Sequence, residues 1–280
     1  MTLRSIRHPG PASPDRAAVV TCRAEPVTLT LEPGLSVNQA VAEAFARMGA
    51  TGGYIRLRDA HISPMRYVIP AAAPDDSHAA WYSETFAPEG VVAIEDAGLV
   101  VGTRDGKPFL HCHGLWRAGD GMRRMGHLLP LESEFAQPVE AEAWALHGAG
   151  FDVRDDPETN FRLFRAVPTT TATDRGRPAL AVTLKPNQDL CLAIEEIARA
   201  HAIADAEIHG IGSLVEADFE DGTRLACYAT EVLVTSGHLA NTRATLDIAL
   251  VGLDGSIGEG RIAHGTNPVC VTFELLIVSN

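Results

Sequence analysis

Two segments of the chain repeat the same order of apolar and polar positions. Residues 31–48 and 184–201 align without a gap, at an offset of 153 residues. Each reads as a strand end, a turn and an amphipathic helix, because apolar residues recur at the spacing of one helical face. Ser36 in the first segment, and Asn187 or Asp189 in the second, can cap the helix. The pattern predicts two copies of one strand–turn–helix unit.

A second repeat lies further along each copy. Residues 110–127 align with 244–261 at an offset of 134, and Asp120-Gly121 and Asp254-Gly255 stand at equivalent positions between apolar runs. Asp-Gly between such runs is typical of a hairpin turn. The two offsets differ by 19 residues, so the first copy carries 19 extra residues between helix and hairpin, and these are expected to include the turn-rich loop 71–80.

The pattern divides the chain into four parts. Residues 1–18 are rich in Pro and Gly and predict a flexible N-terminal arm. Residues 168–178 are polar, turn-prone and without apolar periodicity, which is typical of a linker. Domain 1 then spans 19–167 and domain 2 spans 179–280. One helix followed by many short strands predicts an α+β fold with a mainly antiparallel sheet in each domain.

Five short motifs stand in or near the aligned segments. They are Leu-His-Cys-His at 110–113, Asp-Gly at 120–121, Gly-His-Leu-Leu at 126–129, Asp-Pro-Glu-Thr at 156–159 and Gly-Ile-Gly-Ser at 210–213. Over about residues 21–165 and 179–279 the chain resembles a tandem PPC (or PCC) domain protein, of a family shared by plants and prokaryotes. The resemblance implies an α+β fold packed as a trimer or, for a tandem chain, a pseudo-hexameric arrangement of domains. In plants such domains are often attached to AT-hook DNA-binding segments.

Three histidines of domain 1 are expected on one surface. His111 and His113 alternate along a strand, so they project to the same face with Cα atoms about 6.5 to 7 Å apart. A hairpin turning about Asp120 sets His113 opposite His127. Three imidazoles with an open fourth position are typical of a catalytic divalent-metal site. Zinc is the expected ion, and nickel, copper, cobalt and iron also accept imidazole ligands. Solvated or hydrogen-bonded histidines without a metal are the alternative.

The second copy has lost this cluster. Thr245, Asp247 and Arg261 stand where the first copy has its three histidines. Because an arginine opposes a cation, we expect one metal ion per chain. Whether the chain is an enzyme stays open; a metal-dependent, hydrolase-like activity on a small molecule would follow if the ion activates water.

Three further side chains near the cluster are candidates for ligand binding. Arg123 and Arg124 lie on the same predicted hairpin and can hold an anionic molecule. His61 follows Leu-Arg-Asp-Ala at 57–60, which stands where the second copy has Gly-Ile-Gly-Ser. Solvated arginines on a hairpin are the alternative.

A DNA-associated role has a weaker basis. Arg175 and Arg177 belong to an Arg-Gly-Arg-Pro segment that matches the core of an AT-hook, which enters a narrow minor groove. No Lys or Arg cluster flanks it, and the formal charge of −13 opposes nucleic-acid binding. An inter-domain linker that contains the tetrapeptide by chance is the alternative.

Composition sets the remaining limits. The 280 residues are 46% hydrophobic and 21% charged, which is ordinary globular usage. Five scattered cysteines without a Cys-x-x-Cys spacing indicate reduced thiols, and no apolar run suits a signal peptide or a membrane span, so a cytoplasmic location is expected. The function classes that remain are a metal-dependent protein for a small anionic ligand, a DNA-associated regulator, and a purely structural oligomer.

Overall fold

The computed structural model describes residues 4–170 and 173–280. The first half contains β1 (Ala17–Leu31), α1 (Val37–Arg47), β2 (Gly53–Leu57), β3 (Ala60–Ile62), β4 (Tyr67–Val68), β5 (Pro70–Ala71), β6 (Trp81–Tyr82), β7 (Val92–Arg104), β8 (Lys107–Arg117), β9 (Arg123–Leu128), β10 (Val139–His147), β11 (Ala149–Asp155) and β12 (Arg162–Pro168). The second half contains β13 (Arg177–Leu184), α2 (Leu190–Ala200), β14 (Ala206–Leu214), β15 (Ala217–Asp218), β16 (Arg224–Leu225), β17 (Glu231–Ala240), β18 (Arg243–Val251), β19 (Ile257–Arg261) and β20 (Val269–Ser279).

One large, mainly antiparallel sheet runs through both halves. Its main path is β19-β18-β17-β14-β20-β13-β1-β10-β2-β7-β8-β9-β4, and β1 pairs antiparallel with β13 at its centre. Outward from this pair, β20, β14, β17, β18 and β19 on one side match β10, β2, β7, β8 and β9 on the other in order. The predicted α+β fold of two copies in tandem is confirmed.

Each helix begins at the position that its capping side chain dictates. The Ser36 hydroxyl accepts a hydrogen bond from the Gln39 amide, and the Asp189 carboxylate accepts one from the Leu192 amide. Asn187 instead exchanges two hydrogen bonds with the backbone of Ile6, so Asp189 is the cap of α2. Neither helix of the described chain exceeds 11 residues, a length that falls short of a membrane crossing.

The two hairpins have the same register at the predicted offset. His113 pairs with His127 across β8 and β9, and Asp247 pairs with Arg261 across β18 and β19. Gly121 and the equivalent Gly255 have φ values of +76° and +79°, which a residue without a Cβ adopts at no steric cost. The predicted turn about Asp120 is confirmed.

The halves share a hydrophobic core as well as a sheet. Buried second-half residues join the core of the first half, namely Ala179, Ala181, Ile211, Leu233, Ala249, Val251, Leu276 and Val278. Between the halves Arg56, ion-paired with Asp96, donates hydrogen bonds to the carbonyl oxygens of Val234 (2.8 Å) and Thr235 (2.9 Å). This buried guanidinium therefore has polar partners from both copies.

The described part of the expected N-terminal arm is fixed to the body of the protein. Arg4 pairs with Asp218 at 2.8 Å, the His8 imidazole lies 2.8 Å from the carbonyl oxygen of Cys270, and the Gly10 amide donates to the Glu158 carbonyl at 3.0 Å. These partners are more than 140 residues away in the sequence. The Pro and Gly content of residues 1–18, from which flexibility is predicted, carries no information about such distant contacts. Residues 1–3 of the arm, and 171 and 172 of the predicted linker, lie outside the described residues.

Leu233 belongs to the second half of the chain, but we expect Leu233→Ala to destabilise the first half as well. Leu233 is fully buried in the shared core, and large-to-small changes there cost about 2 to 5 kcal/mol of unfolding free energy. All three tryptophans, Trp81, Trp116 and Trp144, belong to the first half, so their fluorescence during urea unfolding reports on that half. The matched control is Leu192→Ala on α2, where the side chain is 44% exposed. An unchanged tryptophan-reported midpoint in Leu233→Ala would show that the halves unfold independently.

His209 is expected to make the joint between the halves sensitive to acid. Its ring lies between Tyr54 and Trp144, with centroid distances of 5.4 and 4.0 Å, and burial lowers the pKa of His209 to about 4. Between pH 6.5 and 4 the unfolded chain therefore binds a proton that the folded chain does not, and stability falls as the pH falls through this window.

His209→Phe keeps an aromatic ring in this place and removes the titration. The pH dependence of the unfolding free energy should become shallower by up to about 1.4 kcal/mol per pH unit between pH 6.5 and 4. Urea unfolding at several pH values measures it, with His201→Gln at an exposed position as the control. Equal slopes in His209→Phe and wild type would contradict the assignment.

Candidate metal centre

The β8–β9 hairpin brings three imidazoles together. His111 and His113 project from the same face of β8, and His127 on β9 lies opposite His113. The ring centroids are 4.6 Å apart for His111 and His113, 4.9 Å for His111 and His127, and 5.3 Å for His113 and His127. One nitrogen from each ring lies within 4.8 Å of the others, so the group could hold a metal ion.

The second half of the chain adds two carboxylates. Glu231, the first residue of β17, has its Oε2 atom 2.8 Å from His113 Nε2. Glu274, in the middle of β20, has its Oε2 atom 3.0 Å from His111 Nδ1. Glu274 is fully buried, and Glu231 nearly so. The cluster is therefore built by both copies.

Two glycines allow β14 to approach the strand that carries Glu274. A Cβ atom at Gly210 would lie 2.6 Å from the Glu274 carbonyl oxygen, and one at Gly212 would lie 2.5 Å from Phe273 Cγ. The glycines of the Gly-Ile-Gly-Ser motif thus serve close packing of two strands.

The hydrogen bonds fix which nitrogens point inward. His113 Nδ1 is 2.9 Å from the Val232 carbonyl oxygen, which can only accept, so Nδ1 carries a proton. His113 Nε2 is then directed at His111 Nε2, 3.0 Å away, and at Glu231 Oε2. The lone pair of His113 Nε2 thus faces the Glu231 carboxylate oxygen, and a positive charge between them, a proton or a metal cation, stabilises this pair.

Burial and neighbouring charge set the protonation of the metal-free cluster. Burial lowers the pKa of His111 to about 3 and that of His127 well below its usual range. Burial acts on His113 in the same direction, but the Glu231 carboxylate outweighs it and the pKa of His113 is raised. Burial raises the pKa of Glu274 to about 8, whereas the pKa of Glu231 is lowered because His113 outweighs its desolvation.

His127 is the histidine of the cluster that stays without a hydrogen-bond partner when a single proton is bound. Its Nδ1 atom is buried and has no hydrogen-bond partner among the described residues. One proton shared by His113, His111 and Glu231 leaves the third ring unpartnered, and a buried polar atom without a partner costs about 1 to 3 kcal/mol. A cation that accepts several ligands at once fits this donor set better than a proton does.

Two cavities flank the cluster. One of about 60 Å³ is lined by His111, His113, Glu231 and Tyr82. The other, of about 310 Å³, lies against His111, His127 and Glu274. Tyr82 borders both, and its ring centroid is 5.4 Å from that of His127.

The insertion of the first copy covers the site. The loop 71–80 joins β5 to β6, the short pair of strands that carries Trp81 and Tyr82. Both aromatic side chains are about 40% exposed and line the smaller cavity. The insertion predicted from the two alignments therefore lies next to the histidines.

The predicted ligand-binding side chains are engaged elsewhere. Arg123 donates to Glu95 (2.6 Å) and to Glu259 (2.9 Å), and Arg124 pairs with Asp120 at 2.5 Å. His61 on β3 has its Nδ1 atom 2.8 Å from the Gln137 side-chain nitrogen. None of these three lines the cavities beside the histidines. Both arginines lie close to the hairpin turn, where the carboxylates of Asp120, Glu95 and Glu259 are within hydrogen-bonding distance.

The two arginines of the Arg-Gly-Arg-Pro segment differ in their surroundings. Arg175 is exposed before β13, whereas Arg177 is the first residue of β13 and pairs with Ala24 of β1. The Arg177 guanidinium donates to Glu207 (3.0 Å) and to the Ser279 carbonyl (2.9 Å). A segment held in a sheet in this way is not the free extended chain that enters a minor groove.

In the second copy an ion pair stands where the first has its histidines. Arg261 donates to both carboxylate oxygens of Asp247 at 3.2 Å. The Asp247 carboxylate is thus neutralised by a side chain of the same hairpin.

Sequence reasoning placed the three histidines but missed both carboxylates. Glu274 carries a signal, because it is the one charge in the otherwise apolar or uncharged run 269–278, and a lone acid in a buried strand needs a partner. Glu231 has no comparable signal, since a charged residue at the start of a strand is common. Of the acidic residues that follow His127 in the sequence, Glu132, Glu140 and Glu142 are exposed and Glu134 is half-buried.

Residues 172–280 match the family model of the Plants and Prokaryotes Conserved (PCC) domain. The matched segment is the second half of the chain. Because the first half repeats its strand order and hairpin register, the chain contains two PCC-like units in tandem. No curated protein matches the chain.

Several solved structures are similar to part of the chain. A metal-containing protein from Archaeoglobus fulgidus is 22% identical over 51% of this chain and 94% of its own, with a TM-score of 0.39. A plant- and prokaryote-conserved protein from Pyrococcus horikoshii is 14% identical over 52% of this chain and 95% of its own, with a TM-score of 0.40. A protein from Ralstonia eutropha, named only as a candidate for DNA binding, is 17% identical over 49% and 88%, with a TM-score of 0.34.

Proposed function

We propose that this tandem PCC chain binds one divalent metal ion, with zinc as the natural occupant, between its two halves. His111, His113 and His127 of the first half supply three nitrogen ligands, and Glu231 of the second half supplies a carboxylate oxygen. Imidazole with carboxylate is a donor set that zinc accepts in tetrahedral sites. Two observations carry the proposal: one ring nitrogen from each of the three histidines lies within 4.8 Å of the others, and the buried Nδ1 of His127 has no hydrogen-bond partner among the described residues.

The surroundings of the donors support a metal site. The Val232 carbonyl accepts the His113 Nδ1 proton, and Glu274 Oε2 lies 3.0 Å from His111 Nδ1. Such outer partners fix the ring orientation and the tautomer of metal-binding histidines. The expected fourth position, open to solvent in the sequence-based prediction, is instead faced by Glu231.

We infer that the metal serves in the binding of a small molecule and at the same time ties the two PCC-like units together. Each cavity beside the cluster touches at least one of the three histidines, so a bound molecule would lie next to the ion. Self-association as a trimer or pseudo-hexamer, and a DNA-associated role, stay predictions from the family resemblance.

Metal content tests the site directly. Wild-type chain purified without chelator should contain about one equivalent of zinc by elemental analysis, and the His111→Ala/His113→Ala variant should contain none, because two of three imidazoles are gone. A His201→Ala/His238→Ala variant, at exposed positions outside the cluster, is the control and should keep its zinc. Two equivalents in wild type, or no metal in either protein, would overturn the proposal.

The contribution of the second half is tested separately. Glu231→Gln keeps the size of the side chain but removes its charge, and it should weaken zinc binding about 10- to 100-fold in competition with a chelating dye. Glu140→Gln, an exposed substitution in β10, should leave the affinity unchanged. If Glu231→Gln binds zinc as tightly as wild type, then Glu231 is not a ligand and the site belongs to the first half alone.

A further inference from the structure

The larger cavity beside the histidines has different chemistry at its two ends. Its inner end is formed by His111, His127 and the buried Glu274. Its outer end is bordered by Arg104 and Arg162, both exposed to solvent. At about 310 Å³ it lies at the lower end of the size range of small-molecule sites.

The wall between the two ends is apolar. Phe109, Phe161 and Phe164 supply aromatic surface, and the remaining apolar lining comes from Val68, Leu129, Val153 and Leu163. Tyr82 of the inserted strand pair closes the side next to His127. An occupant must therefore have an apolar, planar or thin body.

Arg104 is the cation at the outer end that is available to a ligand. Its guanidinium carbon lies 5.3 Å from the centroid of the Phe109 ring. Within the described ranges 4–170 and 173–280, no carboxylate forms an ion pair with Arg104, whereas Arg162 pairs with Asp105 at 2.6 Å and with Asp155 at 3.4 Å. A guanidinium fixed over an aromatic ring and lacking an acidic partner suits a planar carboxylate or a phosphate.

The charge at the inner end fixes the orientation of such a ligand. Glu231 and Glu274 offset the two positive charges of the proposed metal ion, so the inner end presents no net positive charge to an anionic group. The acid group of the ligand is thus expected at Arg104, and its apolar body toward the metal centre.

We propose that this cavity binds a small amphipathic acid, with its anionic group on Arg104 and its apolar body against Phe109, Phe161 and Phe164. The inference rests on the proposed metal-dependent function, because the inner wall of the cavity is made by two of the metal-binding histidines. It replaces Arg123 and Arg124, which have carboxylate partners of their own, as the anion-binding groups.

Calorimetric titration of the zinc-loaded full chain with phenylacetate, phenyl phosphate and neutral 2-phenylethanol tests the proposal. Arg104→Gln should weaken binding of the acids about five- to tenfold and leave binding of the alcohol unchanged. Arg47→Gln on α1 removes the same charge at an exposed position outside the cavity and is the matched control. Tighter binding of phenylacetate or of phenyl phosphate identifies the acid group as carboxylate or phosphate, and either result supports the proposal.

Three results would overturn it. If neither acid binds zinc-loaded wild type, the cavity is not an acid site, while the metal centre stands. If Arg104→Gln and Arg47→Gln weaken the acids equally, the effect is one of overall charge. If elemental analysis finds that wild type holds no zinc, the metal-dependent function and the ligand inference fall together.

Discussion

Antiparallel pairing of β1 with β13 determines where every other strand of the molecule lies. The pair runs from Ala17 opposite Leu184 to Ala24 opposite Arg177, and from it the two copies extend outward in the same strand order. Because a sheet of this width coils, the copies fold toward each other and bury apolar residues from both in one core. The β8–β9 hairpin of the first copy then faces β17 and β20 of the second, which is why Glu231 and Glu274 reach its histidines.

Buried charge is the second constraint on this joint. Carboxylates at 231 and 274 cannot stay desolvated without partners, and the three histidines are the groups that face them. Removing one member would leave the others uncompensated, so the five side chains act as one unit. A divalent ion suits this unit because its two positive charges offset the ionised Glu231 and favour ionisation of the buried Glu274 beside three neutral rings.

The sequence carried enough local information for the repeated part of the fold. Ser36 and Asp189 cap their helices through contacts within three residues, and the Asp-Gly turns set the hairpin register that pairs His113 with His127. These are short-range effects that a pattern of apolar and polar positions records. Other contacts join residues more than 100 positions apart in the sequence. They are the contacts of the N-terminal segment, the Arg123–Glu259 ion pair, and the approach of Glu231 to His113. Such contacts depend on how the two copies pack, which no local pattern encodes. For the same reason, only the structure identifies Arg104, and not Arg123 or Arg124, as a cation that lines a cavity beside the histidines.

The Asp247–Arg261 ion pair has a consequence for how a two-fold arrangement can carry a single site. In a dimer of identical chains every substitution appears on both sides of the axis, so a cluster of histidines on one side implies the same cluster on the other. Joining the units in one polypeptide removes that restriction and lets each vary alone. One unit holds imidazoles where the other holds a self-neutralising Asp–Arg pair, and the second unit is free to contribute carboxylates. Covalent linkage thus converts a symmetric scaffold into one in which one unit supplies imidazoles and the other supplies carboxylates. The number of sites is then fixed per chain and does not depend on how chains assemble.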